Sequence, residues 1–266
     1  MINFIPLSGL CNRMRALDSA VSLCRETGSP LRVYWVKAVN MDCSFSDLFK
    51  PIPDLELIEK NRPFVFSDTQ VHLYSPHLYR HLSDWVILNN QNIKEMLERR
   101  FDFRILQSCR QVLMSSNVRF YPAAKMYSTF LPIECLRQRI DMESASFHQN
   151  TIGIHIRRTD HTLSIDNSPT ELFKLSIDKE IALNSNVNFY LASDCVSTKQ
   201  QLQGIYGDRI ITNFDKSDRT SREGMQQALV ELYTLSRTRK IYGSFRSSFS
   251  TTAAEINGIV IITVKN

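Results

Sequence analysis

The sequence lacks the spacings by which most metal and cofactor sites are read. None of its six cysteines forms a CxxC pair, so no Cys-and-His zinc set is completed. There is no HExxH, no DxD, no GxSxG elbow and no Walker loop. The first strand-to-helix turn carries one glycine, Gly9, where a dinucleotide fingerprint needs three. No window approaches eighteen apolar residues, so no membrane span is expected. Internal repeats and low-complexity tracts are absent. The opening MINFIPLSGLCNRM has no basic segment leading into a long apolar one. With scattered cysteines, the expectation is a cytoplasmic protein with reduced thiols, several of them core fillers.

What is present is ordinary globular material. The 266 residues are 43% hydrophobic and 22% charged, enough for one large or two small domains, each with its own core. A net charge of +5 suits an anionic ligand held in one cleft. The densest basic run, Arg237, Arg239, Lys240 and Arg246, is too dilute for a nucleic-acid stripe, so no nucleic-acid partner is expected.

Strand-like runs recur at 151–157, 187–192, 209–212, 240–242 and 258–264, with helical patterns at 169–183, 196–206, 221–237 and 247–257. This alternation implies βαβ units and a mostly parallel sheet covered on both faces. Thr220 with Glu223 has capping-box spacing, and Gly258 suits a helix C-cap. The chain begins in the same way, with a strand at 2–6, a helix at 12–27 and a strand at 31–36. Residues 40–135 carry aromatic runs, several prolines and a helix at 90–101, and their sheet order is not readable. The polar stretch 143–150 is the best boundary, dividing the chain into 1–147 and 148–266. The expected fold class is α/β: two Rossmann-like halves facing across a cleft, with ligands at the C-terminal strand ends.

The stretch GIHIRRTD, Gly153 to Asp160, poses the central question: why does an apolar strand end in two arginines? Ile152, Ile154 and Ile156 share one face; Gly153, His155 and Arg157 share the other. An arginine at such an end offers a permanently charged fork for phosphate or carboxylate; otherwise it pairs with a local acid such as Asp160. At Ser8–Arg15 a strand turns into a helix whose N-terminus favours an anion, and Asn12 there is a ligand contact or a cap. At Gly243–Ile256 a strand opens into Ser247, Ser248, Ser250 and Thr251, with Arg246 adding charge: a phosphate cradle or a helix start. Asp194 follows a strand end and suits a ribose, a base edge or a helix cap. Glu231, flanked by apolar residues, is a buried paired acid or lies on the flank of its helix.

Taken in order, these pieces resemble the α1,6-fucosyltransferase / protein O-fucosyltransferase superfamily. The resemblance rests on His155-Ile156-Arg157-Arg158-Thr159-Asp160, on Tyr190-Leu191-Ala192-Ser193-Asp194, and on Ala228–Ser236 leading into Ser244–Ile256. Gly9-Leu10-Cys11-Asn12-Arg13 is similar to the family's first turn. The likeness covers about 150 to the end and the first 36 residues. It implies a GT-B fold, a GDP-sugar donor (GDP-fucose in the family), no metal or other cofactor, and inversion at the anomeric carbon. The first half would then be the acceptor side and the second the nucleotide-sugar side.

By the same resemblance, Arg157 holds the diphosphate and stabilises the leaving group, with Arg158 beside it and His155 near the donor. Asp194 and Glu231 match acids of the nucleoside pocket, Ser247 and Ser248 the phosphate turn, and Asn12 the residue facing the cleft. The chain departs from the family after the arginines: the eukaryotic core enzymes' lysine and catalytic glutamate are replaced by His161 and Ile165. The acceptor-side base is therefore Asp166, Asp160 or His161. The expected reaction is fucosyl transfer to a glycan or glycolipid hydroxyl. The alternatives are another GDP-hexose as donor, or an inactive GDP-binding or sugar-binding module of the same fold.

Overall fold

The computed structural model describes residues 1–38, 41–59, 64–66, 71–73, 85–159 and 161–266. The chain divides into two compact units, Met1–Leu131 and Pro132–Asn266.

In the first unit, β1 (Ile2–Pro6) runs into α1 (Leu10–Thr27) and then β2 (Leu31–Tyr34). Helix α1 buries Met14, Leu17, Val21 and Cys24, one apolar stripe at helical spacing. It starts two residues earlier than the sequence pattern indicates, because Gly9 holds an extended backbone as N-cap. It stops at Gly28, whose φ of 66° lets its N–H return to the Cys24 carbonyl. The segment that resisted reading supplies β3 (Leu55–Ile58), β4 (Phe64–Phe66), β5 (Val71–Leu73), β6 (Trp85–Leu88), α2 (Asn90–Glu98) and β7 (Gln111–Ser116). The main sheet runs β3-β2-β1-β7-β6, every pairing parallel, while β4 and β5 pair antiparallel. Its registers join distant segments: Ile2 lies beside both Leu31 and Val112. Trp35, Phe45, Phe49 and Phe130 form one buried aromatic cluster.

The second unit contains α3 (Glu134–Glu143), β8 (Thr151–Ile156), α4 (Thr162–Asn167), α5 (Thr170–Leu183), β9 (Asn188–Ser193) and α6 (Val196–Tyr206). It continues with β10 (Ile210–Ile211), α7 (Arg222–Leu235), β11 (Lys240–Ser244), α8 (Ser248–Asn257) and β12 (Val260–Val264). Its sheet runs β10-β9-β8-β11-β12, again all parallel. Ile152, Ile154 and Ile156 pack with Phe173, Ile177, Phe189 and Leu202 on one face. On the other, a Cβ at Gly153 would stand 2.6 Å from Leu235, and His155 stacks on Phe249. The period-two pattern of β8 is therefore the pattern of a strand buried on both sides.

One sequence expectation changes here. Ser221, not Thr220, caps α7: its side chain accepts from the Gly224 N–H, while Thr220 bonds Asp218. Helix α3 belongs to the second compact unit. That helix packs on α7, and its Arg139 donates to Gln227.

Candidate active site

Strands leave β8 in two directions, toward β9 and β10 on one side and toward β11 and β12 on the other. Ligands of open α/β sheets gather at the carboxyl ends of the strands flanking such a reversal. The registers His155↔Ala192 and His155↔Gly243 set the ends of β8, β9 and β11 level. Serine hydroxyls lock them: Ser193 Oγ donates to the Ile156 carbonyl at 2.7 Å, and Arg157 N–H donates to Ser244 Oγ at 3.0 Å. Arg157, Arg158, Asp194, Ser247 and Ser248 therefore issue from three adjacent strand ends.

Arg157 and Asp194 form an ion pair, Nε to Oδ2 at 3.1 Å, with side chains 14% and 12% exposed. An acid that pairs with the first arginine thus stands at the end of β9. Asp160, the local alternative and a candidate base, lies outside the described residues. Asp194 also accepts the Arg158 N–H at 2.7 Å, the Thr159 N–H at 3.4 Å and the Thr159 hydroxyl at 2.7 Å. Arg158 points elsewhere. Its guanidinium donates to the Arg157 and Ser168 carbonyls at 2.8 and 2.9 Å and to Thr170 Oγ1 at 2.9 Å. It ties the strand end to the start of α5.

His155 is buried, its ring stacked on Phe249 with centroids 4.6 Å apart. Burial drives its pKa down to about 3, the neighbouring Arg157 and Arg158 add to this, and only Asp194 opposes it. Its ring forms a buried wall beside the Ser247 hydroxyl. Ser247 is the N-cap residue of α8 yet makes no capping bond through its side chain, and its hydroxyl lies 3.5 Å from His155 Nδ1. Ser247 and Ser248 are half-buried. Ser250 and Thr251 turn back onto the Ser247 carbonyl and leave the cradle. Arg246 is exposed, with a φ of 53°.

Glu231 sits apart from this group. It is buried and ion-paired with Lys199 of α6, a lysine with no exposed surface that also donates to the Asn213 carbonyl at 3.0 Å. Burial pushes Glu231 up to about 7, and Lys199 pulls in the opposite direction. Around the pair, Glu143 accepts from Tyr190 Oη at 2.9 Å and from Asn213 Nδ2 at 2.8 Å, while Gln227 holds Asn213. Of the two sequence readings of Glu231, this is the buried, paired acid. Lys199 escaped sequence reading because its helix looks like any polar-faced helix. Only its absence from the surface reveals the pairing.

Two of the candidate bases are described. His161 caps α4, its Nδ1 accepting the Ser164 N–H at 3.1 Å and lying 2.8 Å from Ser164 Oγ. Asp166 is exposed on the same short helix.

In the first unit, the strand order reverses between β1 and β7. Ser8 takes a φ of 67°, rare for a residue with a side chain, and Asn117 Nδ2 donates to its hydroxyl at 3.2 Å. Asn12 lies inside the first turn of α1, half-buried, and does not cap it. Arg13 is buried, donating to the Ser8 and Val36 carbonyls at 2.7 and 2.6 Å. Among the described residues no group of His, Cys, Asp and Glu is placed to hold a metal ion, and no helix is long and apolar enough to cross a membrane.

No model of a known protein family matches the sequence, and no curated protein matches it. Solved structures do. The fold is similar to that of the NodZ α-1,6-fucosyltransferase soaked with GDP-fucose, at a TM-score of 0.65 and 18% identity over 98% of this chain and 94% of that one. This is a fucosyltransferase-like GT-B fold. A mutant of Arabidopsis thaliana FUT1 in complex with GDP gives 0.63 and 16%, covering 98% and 69%. POFUT1 in complex with GDP-fucose gives 0.57 and 10%, covering 99% and 97%.

Proposed function

We propose that the chain is a metal-independent, inverting glycosyltransferase that moves L-fucose from GDP-fucose to a hydroxyl of a glycan or glycolipid acceptor. The observation that carries this reading is Arg157, held by Asp194 at the end of the central strand β8 and level with the Ser247–Ser248 start of α8. Known structures of this fold that hold GDP-fucose or GDP support it.

In the proposed reaction the acceptor oxygen attacks the anomeric carbon as the bond to the β-phosphate oxygen breaks, its electron pair leaving with GDP. Negative charge grows on the diphosphate. Arg157 meets it with a permanent positive charge, and the first-turn N–H groups of α8 with the Ser247 and Ser248 hydroxyls meet it with donors. Asp166 takes the acceptor proton, with Asp160 the other carboxylate of the same loop. His161, which caps α4, is the third candidate. Donor recognition is assigned to the second unit, acceptor recognition to the first, and the setting to the cytoplasm. An acceptor such as a polysaccharide or glycolipid intermediate fits this reading.

Ile165, where the family's catalytic glutamate is expected, favours a second reading, a binding module that keeps GDP and lacks the base. A thermal-shift titration with GDP, GDP-fucose, GDP-mannose, UDP and ADP without metal tests the donor. At about 100 Kd a ligand contributes roughly 2.7 kcal/mol, an easily read shift. Stabilisation by GDP and GDP-fucose alone is the expected outcome. An equal response to UDP sinks guanine specificity, and GDP binding without transfer or donor hydrolysis favours the module.

A further inference from the structure

Asp194 is expected, by resemblance, to contact the nucleoside. Its surroundings argue otherwise. An ionised carboxylate offers about four acceptor positions on its two oxygens. Here four donors already converge: the Arg158 N–H on Oδ1, and the Thr159 N–H, the Thr159 hydroxyl and Arg157 Nε on or near Oδ2. The carboxylate is also held from behind, because the Cys195 N–H returns to Ser193 Oγ at 3.3 Å and that hydroxyl binds the Ile156 carbonyl. A ribose hydroxyl or a base edge would find one position left, on Oδ1, beside the Arg158 N–H.

Resting on the donor reading above, we infer that Asp194 is a positioning residue. It orients the Arg157 guanidinium and shapes the Arg158–Thr159 turn as a diphosphate clamp, and it does not read the nucleoside. Holding Nε fixes the plane of the fork, and a planar fork takes phosphate oxygens well in only a narrow range of orientations. The two N–H bonds hold the backbone that carries the side chain. Asp194 thus acts on the substrate through Arg157 alone.

This makes Asp194 blind to the base and dependent on Arg157, and both properties are measurable. Affinities for GDP and for inorganic pyrophosphate are determined by calorimetry without metal for the wild type, Asp194→Asn, Arg157→Lys and the double variant. Removing a charged hydrogen-bond acceptor is worth about tenfold to a hundredfold. Asp194→Asn is expected to weaken GDP and pyrophosphate by the same factor, and the double variant to bind no worse than Arg157→Lys. Lost GDP affinity with pyrophosphate affinity intact would return Asp194 to the nucleoside, as would losses that multiply in the double variant. A wild type that binds neither ligand overturns the donor reading and the clamp together, whereas the two preceding outcomes overturn the clamp alone. Thr159→Val removes one donor and keeps the test alive should Asp194→Asn not fold. It is expected to weaken both ligands equally by a few-fold, and an unchanged pyrophosphate affinity overturns the clamp.

Discussion

Arg157 and Arg158 are neighbours in sequence with different partners. The first is turned to Asp194 at the strand ends; the second binds backbone carbonyls and Thr170 at the start of α5. One stands at the strand ends, and the other holds the loop that carries it. If the proposed mechanism holds, Arg157→Ala removes the main positive charge from the leaving group. Losing one such electrostatic donor costs on the order of 3 kcal/mol, a turnover loss of about 10²–10³-fold. The expected result is near-abolished transfer with an unchanged far-UV circular dichroism spectrum. Wild-type-like turnover would falsify the role. Lys199 and Glu231 make the opposite pattern: a charged pair held in the interior, whose removal by halves would leave an unpaired buried charge.

At the level of elements, α8 can present Ser247 to His155 only because it lies very close to β11. A Cβ at Gly243 would stand 2.5 Å from Ser250 Oγ and 2.6 Å from Ser250 Cβ, both on the buried side of α8. Gly243→Ala therefore pushes the helix outward. The expected cost is about 1–3 kcal/mol of overpacking, read as a lowered thermal midpoint, together with weakened GDP binding as the Ser247 turn moves. A variant with native stability and native affinity would show that the α8 contact does not set the site. Elements are also where the sequence was most legible. The helix expected at 196–206 is observed as Val196–Tyr206, and the C-cap expected at Gly258 has a φ of 64°. Cap identity was less legible: Thr220 and Ser221 are adjacent hydroxyls that both donate to Asp218, and only the loop geometry puts Ser221 Oγ, not Thr220 Oγ1, in reach of the Gly224 N–H.

For the whole molecule, pH acts through buried groups of opposite sign. His155 is held near 3 when folded, so below its ordinary value of 6.5 the unfolded chain binds the extra proton, and stability falls as pH drops from about 6.5 toward 3. Glu231 is raised from 4.5 to about 7, so its contribution is present below 4.5 and is lost as pH rises toward 7. Between 4.5 and 6.5 the two oppose each other. His155→Gln removes one side of this balance. Whatever it costs at pH 7.5, the variant is expected to lose less stability than the wild type between pH 7.5 and 5, by up to about 1.4 kcal/mol per pH unit. Parallel midpoints across that range would show that the imidazole titrates normally.

The alternation of strand and helix, the burial of β8 on both faces and the placing of charged and hydroxyl residues at strand ends follow from the sequence alone. Each is set by local backbone geometry and by the periodic separation of apolar from polar side chains. The tertiary structure decided the rest. Asp194, from the end of another strand, met Arg157. Lys199 found Glu231. Helix α3 joined the second unit, and β3, β6 and β7 joined β1 and β2 in the first sheet. These outcomes depend on which loops and buried side chains meet when crossover connections bring distant segments level, and no periodicity in the chain encodes that meeting.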